Sequence, residues 1–290
     1  MLDVLIALSP AVIASLVYYD LRALLVLCVT VASCVGSEFL FNLACKKEQT
    51  VGDFSAAVTG TLLALSLPAT ATVWQCIVGG AFSIVIVKCF FGGLGNNFAN
   101  PAVTGRIFLF LAFSEVGASV APNFAELESG ATPLATMREG GALPELWEML
   151  LGLRGGAIGE ACAIALLLGG AYLVWRRVIR WEVPTTFIVT VFVLSWILEG
   201  DFVLALYHVL SGGLLIAAIF MITDYVSTPL NFVGKLVFAF GAGVITVLIR
   251  FFGSYPEGVS FGILLMNILS PYIEKWTMKK PFGGKVNDKG

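Results

Sequence analysis

Thr132 closes a Ser129-Gly130-Ala131-Thr132 run inside a polar stretch, residues 117–155, of a chain that is otherwise strongly apolar. A hydroxyl in that setting is open to modification. Gly130 and Ala131 carry almost no side chain, so another protein's active site can approach the backbone there. The same residues have a plain structural use. Thr132 is a favoured helix N-cap and Pro133 a favoured first helical residue, so the spacing predicts a helix starting at Pro133. The two uses are compatible, because a threonine at an exposed helix start still presents its oxygen.

Among the titratable residues in or beside apolar runs, four are candidates for an ion route: Glu38, Asp53, His208 and Asp224. Ionisable groups at membrane depth are expensive and often mark ion or proton routes. Each also has a bland reading. His208, the single histidine, lies about 9 Å from the nearer end of its run at 1.5 Å per residue, where a neutral imidazole bonded to a neighbouring helix suffices. Asp53 and Asp224 can cap a helix start or answer a basic neighbour. The sequence does not rank the four. The six cysteines form no C-x-x-C pair and lie in or at the ends of apolar runs, so they read as small hydrophobes and no metal site is expected.

The elements that position these residues follow from composition. Of 290 residues, 58% are hydrophobic and 12% charged. Soluble domains carry about 25% charged residues, so the chain reads as an all-α polytopic membrane protein. The first run lacks a basic leader and is read as a true span, not a signal peptide. Apolar runs at 2–19, 23–45, 54–70, 71–91, 101–116, 156–175, 184–199, 202–222, 235–252 and 257–274 give about ten transmembrane helices. With the N-terminus in the cytoplasm, thirteen of the seventeen Lys and Arg residues fall inside, as the positive-inside rule requires. Both termini are then cytoplasmic and the Thr132 loop extracytoplasmic. The expected organisation is a first membrane half at 1–116, the loop at 117–155, a second half at 156–275 and a basic tail at 276–290. Gly79-Gly80 and Gly212-Gly213 each open a run that ends in a polar break and a proline, Pro101 and Pro229. This reads either as a two-half internal repeat with broken helices at a site or as two ordinary interhelical loops. The glycine pairs, with Gly241-Ala242-Gly243, are expected to permit close helix packing.

Longer stretches carry a family resemblance. They are Met1 to Leu8, Gly52-Asp53-Phe54-Ser55-Ala56-Ala57-Val58-Thr59-Gly60, Gly92-Gly93-Leu94-Gly95-Asn96-Asn97 with Asn100-Pro101-Ala102, Ser129 to Ala135, Thr223-Asp224-Tyr225-Val226-Ser227-Thr228-Pro229 and Ser254-Tyr255-Pro256-Glu257-Gly258. Over nearly its full length the chain resembles the RnfD/NqrB family of membrane flavoproteins. The lack of an N-terminal extension favours the RnfD branch. The resemblance implies FMN carried on Thr132 through a phosphoester, within the Ser129, Gly130, Ala131 context. Glu126 stands where the family pattern usually has aspartate, and Thr136 is the weaker alternative acceptor. It implies an electron-transfer subunit of a bacterial or archaeal cytoplasmic-membrane complex that couples ferredoxin and NAD redox chemistry to Na⁺ or H⁺ translocation. Its partners would be other Rnf-type subunits: membrane subunits, cytoplasmic iron–sulfur and NADH-binding subunits, and extracytoplasmic flavin subunits. A second, noncovalent flavin is a further expectation, and no nucleic acid is expected. No G-x-G-x-x-G follows a strand, so NADH and ferredoxin would react on other subunits. An NqrB-like quinone-reductase subunit and a cofactor-free channel or secondary transporter remain the alternatives.

Overall fold

A computed structural model describes residues 1–113, 132–141, 143–152, 155–160, 162–253 and 257–278. Every element among them is helical: α1 (Leu2–Ala44), α2 (Ser55–Leu65), α3 (Val73–Ala81, continued by a π-helix, Phe82–Cys89), α4 (Pro101–Ala112), α5 (Pro133–Glu139), α6 (Leu146–Leu151), α7 (Ala163–Trp175), α8 (Glu182–Glu199), α9 (Phe202–Leu210), α10 (Leu214–Ile216, continued by a π-helix, Ala217–Met221), α11 (Phe232–Phe252) and α12 (Val259–Thr277). Among the described residues three helices are long and apolar enough to cross a membrane, α1, α8 and α11, or four if α9 and α10 count as one bent span.

Each of the ten expected runs contains a helix, but several differ from their expected form. The first two are one continuous element, α1, broken at Asp20, whose backbone (φ 51°, ψ −139°) is not helical. Its two arms run antiparallel. Met1 lines one cavity with Lys88, and Lys88 pairs with Glu38 near the other end of the element. The run drawn at 54–70 holds a helix only to Leu65, because Pro68 cannot continue it. The run at 101–116 is helical to Ala112, and the run at 156–175 only from Ala163. The run at 202–222 is bent by 65° between Leu210 and Leu214. Gly212 and Gly213 both sit at φ 66°, so this pair makes the break as well as the close packing expected of it, a Cβ on Gly212 lying 2.5 Å from Leu134 Cδ1. Gly79 does pack closely: a Cβ there would lie 2.3 Å from Leu109 Cδ1.

Tertiary contacts fix the ends of the bundle. At one end Asp3 pairs with Arg176, 3.2 Å away, and accepts from the Tyr172 hydroxyl at 3.1 Å. Asn231 and Thr277 meet at that same end. At the other end the Tyr18 hydroxyl donates to Leu151 O at 2.7 Å, and Arg138 of α5 donates to Arg250 O at the close of α11. The helix that Thr132 opens therefore lies opposite the chain's first residues. The short helix α4 begins inside the bundle. Asn100 caps it, accepting from Ala102 N and Val103 N, and its own N–H donates to Asn267 Oδ1 at 3.1 Å. Asn100 Nδ2 donates to Met221 O, and Asn267 Nδ2 to Ser227 O. Asn267 is buried midway along α12. Backbone that stops being helical at such depth is tolerated only with protein partners of this kind.

Candidate functional site

Two polar centres occupy opposite ends of the bundle. The first is built on the Phe82–Cys89 π-helix, a geometry frequent at functional sites, which carries Lys88 into the interior. Lys88 is 1% exposed and Glu38 likewise 1%. Lys88 Nζ donates to Glu38 Oε1 at 2.8 Å and to the Ser55 hydroxyl. The Ser55 hydroxyl and the Ser55 N–H both donate to Asp53 Oδ1, which thereby caps the start of α2. Thr50 donates its hydroxyl to Glu38 Oε1 at 2.7 Å and accepts from Asn42 Nδ2 at 3.0 Å. Glu38 Oε2 is buried and has no partner among the described residues. A buried ion pair repays its desolvation only when its remaining lone pairs are satisfied, and here one carboxylate oxygen is left over.

Lys88 and Ser55 also line a cavity of about 180 Å³. Asp224, Thr223, Asn97 and Asn100 face it from other elements, and its walls are mostly apolar, Val58, Leu62, Leu173 and Phe220 among them. Asp224 is held locally: Oδ2 accepts from the Ser227 hydroxyl at 2.8 Å and Oδ1 from Val226 N at 3.4 Å. Burial pushes its carboxyl above the usual range, and these hydrogen bonds hold the rise back. An apolar lining with a few convergent polar groups is the usual make-up of a small-molecule site. Three of the four residues named from the sequence thus converge: Glu38 and Asp53 through Lys88 and Ser55, and Asp224 across the cavity.

The second centre lies at the opposite end. Thr132 opens α5 as its N-cap, with Oγ1 accepting from Ala135 N at 3.2 Å and Pro133 first in the helix. Leu134 reaches the α9–α10 break, so a Cβ on Gly212 would lie 2.5 Å from Leu134 Cδ1. Arg250 satisfies the carbonyls that the break leaves open, donating to His208 O at 2.5 Å and Ser211 O at 2.9 Å. His208 Nε2 is 3.4 Å from Glu199 Oε1 of α8, and the ring stacks on Phe251 with centroids 5.0 Å apart. It thus contacts a neighbouring helix and lies far from the other three residues. Arg106 pairs with Glu257 beside Gly213. Glu126, Ser129, Gly130 and Ala131 lie outside the described residues.

From the sequence, Lys88 counts only as an inside charge and Arg250 only as an outside one. The signal for Lys88 is readable: it is a lone cation between Val87 and Cys89-Phe90-Phe91. Arg250 has no comparable signal, because its carbonyl partners are created by a break elsewhere in the chain.

A model of the NQR2, RnfD, RnfE family matches residues 1–283. The chain is 41% identical to the D-type subunit of the Na(+)-translocating ferredoxin:NAD(+) oxidoreductase complex of Acetobacterium woodii, over 98% of this chain and 90% of that protein. It is 36% identical to the D-type subunit of the proton-translocating ferredoxin:NAD(+) oxidoreductase complex of Clostridium ljungdahlii, over 98% and 91%. It is 32% identical to the D-type subunit of an ion-translocating oxidoreductase complex of Escherichia coli, over 98% and 93%.

Proposed function

Because the chain belongs to the NQR2, RnfD, RnfE family, we propose that it is the D-type subunit of a membrane complex that transfers electrons between ferredoxin and NAD⁺ and couples the transfer to movement of Na⁺ or H⁺. The full-length similarity to subunits of that name carries this reading. In it the chain makes ten spans with both termini cytoplasmic, and it works only with partner subunits that bind ferredoxin and NADH.

FMN is esterified through its phosphate to Thr132. Bound there, it supplies the one- and two-electron chemistry that side chains lack. The residues fit the group. Thr132 is half-buried at the start of α5, and its Oγ1 accepts from Ala135 N, so it presents a hydroxyl of the kind a phosphoester needs. Leu134 and Arg138 anchor α5 to the ends of α9 and α11 and hold the carrier in one place. Glu38, Asp53 and Asp224 serve the cation at the other end, with Glu38 Oε2 as its acceptor. A second, noncovalent flavin belongs to the same reading, but the cavity beside Lys88, at about 180 Å³, is below the roughly 300–1,000 Å³ usual for such a ligand and is not assigned to it.

Mass spectrometry of the 117–154 peptide from the purified complex tests the attachment. Thr132→Ala should abolish the FMN mass and electron transfer yet leave assembly intact, since losing an N-cap costs about 0.5–2 kcal/mol. Thr136→Ala and Glu126→Asp should keep the flavin. Stoichiometric FMN on the Thr132→Ala peptide would refute the assignment. A cofactor-free transporter is the second reading, favoured by the bent α9–α10 pair. A colourless protein from a host that has the flavin-transfer enzyme would select it.

A further inference from the structure

A second cavity, of about 140 Å³, opens where α7 turns into α8 and α11 begins. Its floor includes Ile179, Val183 and Phe238, all buried, and its rim carries Arg177, Arg180 and Lys235. Among the described residues no carboxylate lines it. Nearby acids are engaged elsewhere or do not face it: Asp3 pairs with Arg176, Asp224 accepts from Ser227, and Glu182 is not in the lining. Three like charges around one small space repel one another and call for an anion. Two of them are seated by rings. Arg180 Cζ lies 5.8 Å from the Phe232 centroid and Lys235 Nζ 6.0 Å from that of Tyr225. Arg177 occupies the left-handed position after α7 at φ 55°, where glycine is the usual residue.

The depth of the cavity points to the ligand. Trp175 and Trp181 bracket the 176–180 turn and are 77% and 60% exposed, and Trp276, at the same end, is 80% exposed. Exposed tryptophans collect at headgroup level in membrane proteins. A basic pocket between helices at that level, apolar below and cationic above, is built for a phosphate joined to acyl chains. We propose that Arg177, Arg180 and Lys235 form a binding site for the phosphate of an acidic phospholipid. The site borders the cavity beside Lys88, with which it shares Val178, Ile179, Thr223 and Tyr225, and it includes neither Thr132 nor Glu38.

The test uses the whole complex, delipidated and then reconstituted in nanodiscs of phosphatidylcholine with or without phosphatidylglycerol. Phosphatidylglycerol should raise the unfolding temperature and remain bound in native mass spectrometry. Arg177→Gly, Arg180→Gln and Lys235→Gln should each weaken its apparent affinity about fivefold. Arg177→Gly should do so without loss of basal stability, since glycine suits the backbone there. Equal stabilisation by phosphatidylcholine alone, or undiminished retention in the triple variant, would overturn the site. An equal effect from inorganic phosphate would overturn the lipid assignment.

Discussion

At the residue scale the Glu38–Lys88 pair is the most constrained chemistry in the molecule. Both groups are buried, the ammonium is shared with Ser55, and one carboxylate oxygen stands alone. Removing one partner leaves an uncompensated buried charge, a loss of roughly 3–5 kcal/mol, whereas removing both is often close to neutral. Lys88→Met and Glu38→Gln should each lower the unfolding temperature of the purified complex sharply, and the double variant should recover most of the loss. Additive losses in that cycle would show that the two side chains are not coupled. The bland alternatives for Asp53 and Asp224 also hold in part. Each bonds the backbone two residues on, which explains why a sequence containing both cannot say which one faces a cavity.

At the element scale the α9–α10 break depends on two glycines and one arginine. Alanine at Gly212 would adopt a left-handed backbone at a cost of about 1–2 kcal/mol, and its Cβ would press on Leu134 Cδ1 at 2.5 Å and Arg250 Nη2 at 2.9 Å. Gly212→Ala should therefore destabilise the protein and detach α5, seen as faster maleimide labelling of a cysteine placed at Met137, which is half-buried on the same helix. Gly140→Ala is the control. It too is left-handed, at φ 69°, but open space surrounds it, so it carries the backbone cost without faster labelling. If the two variants label alike, the break does not hold α5. The two π-helices, Phe82–Cys89 and Ala217–Met221, each follow a glycine pair and lead into a loop that lines the 180 Å³ cavity. That is the structural content of the similarity between the two runs.

At the scale of the whole molecule the arrangement separates two ends. Thr132 and the 176–180 turn lie at opposite ends of the bundle, as the Asp3–Arg176 and Arg138–Arg250 contacts require. If the helices cross the membrane, single cysteines at 132 and 178 in a cysteine-free background should react with an impermeant maleimide from opposite faces, position 132 from the extracytoplasmic one. Labelling of both from one face would contradict the ten-span topology.

Local and compositional signals gave the sequence its reach. Apolar runs announced the helices, because a span needs its own continuous apolar surface. Thr132-Pro133 announced an N-cap, because capping involves residues three positions apart. Family motifs announced the kind of protein. The tertiary structure decided which polar residues meet, because those contacts join distant parts of the chain. Lys88 and Glu38 are 50 residues apart, and Asn100 and Asn267 are 167 apart. It placed His208 with Glu199 and Phe251, away from the other three candidates. It also turned Arg250 from a counted surface charge into the group that satisfies a broken helix. No periodicity encodes such pairings; they arise only when the helices pack and each buried polar atom must find a partner.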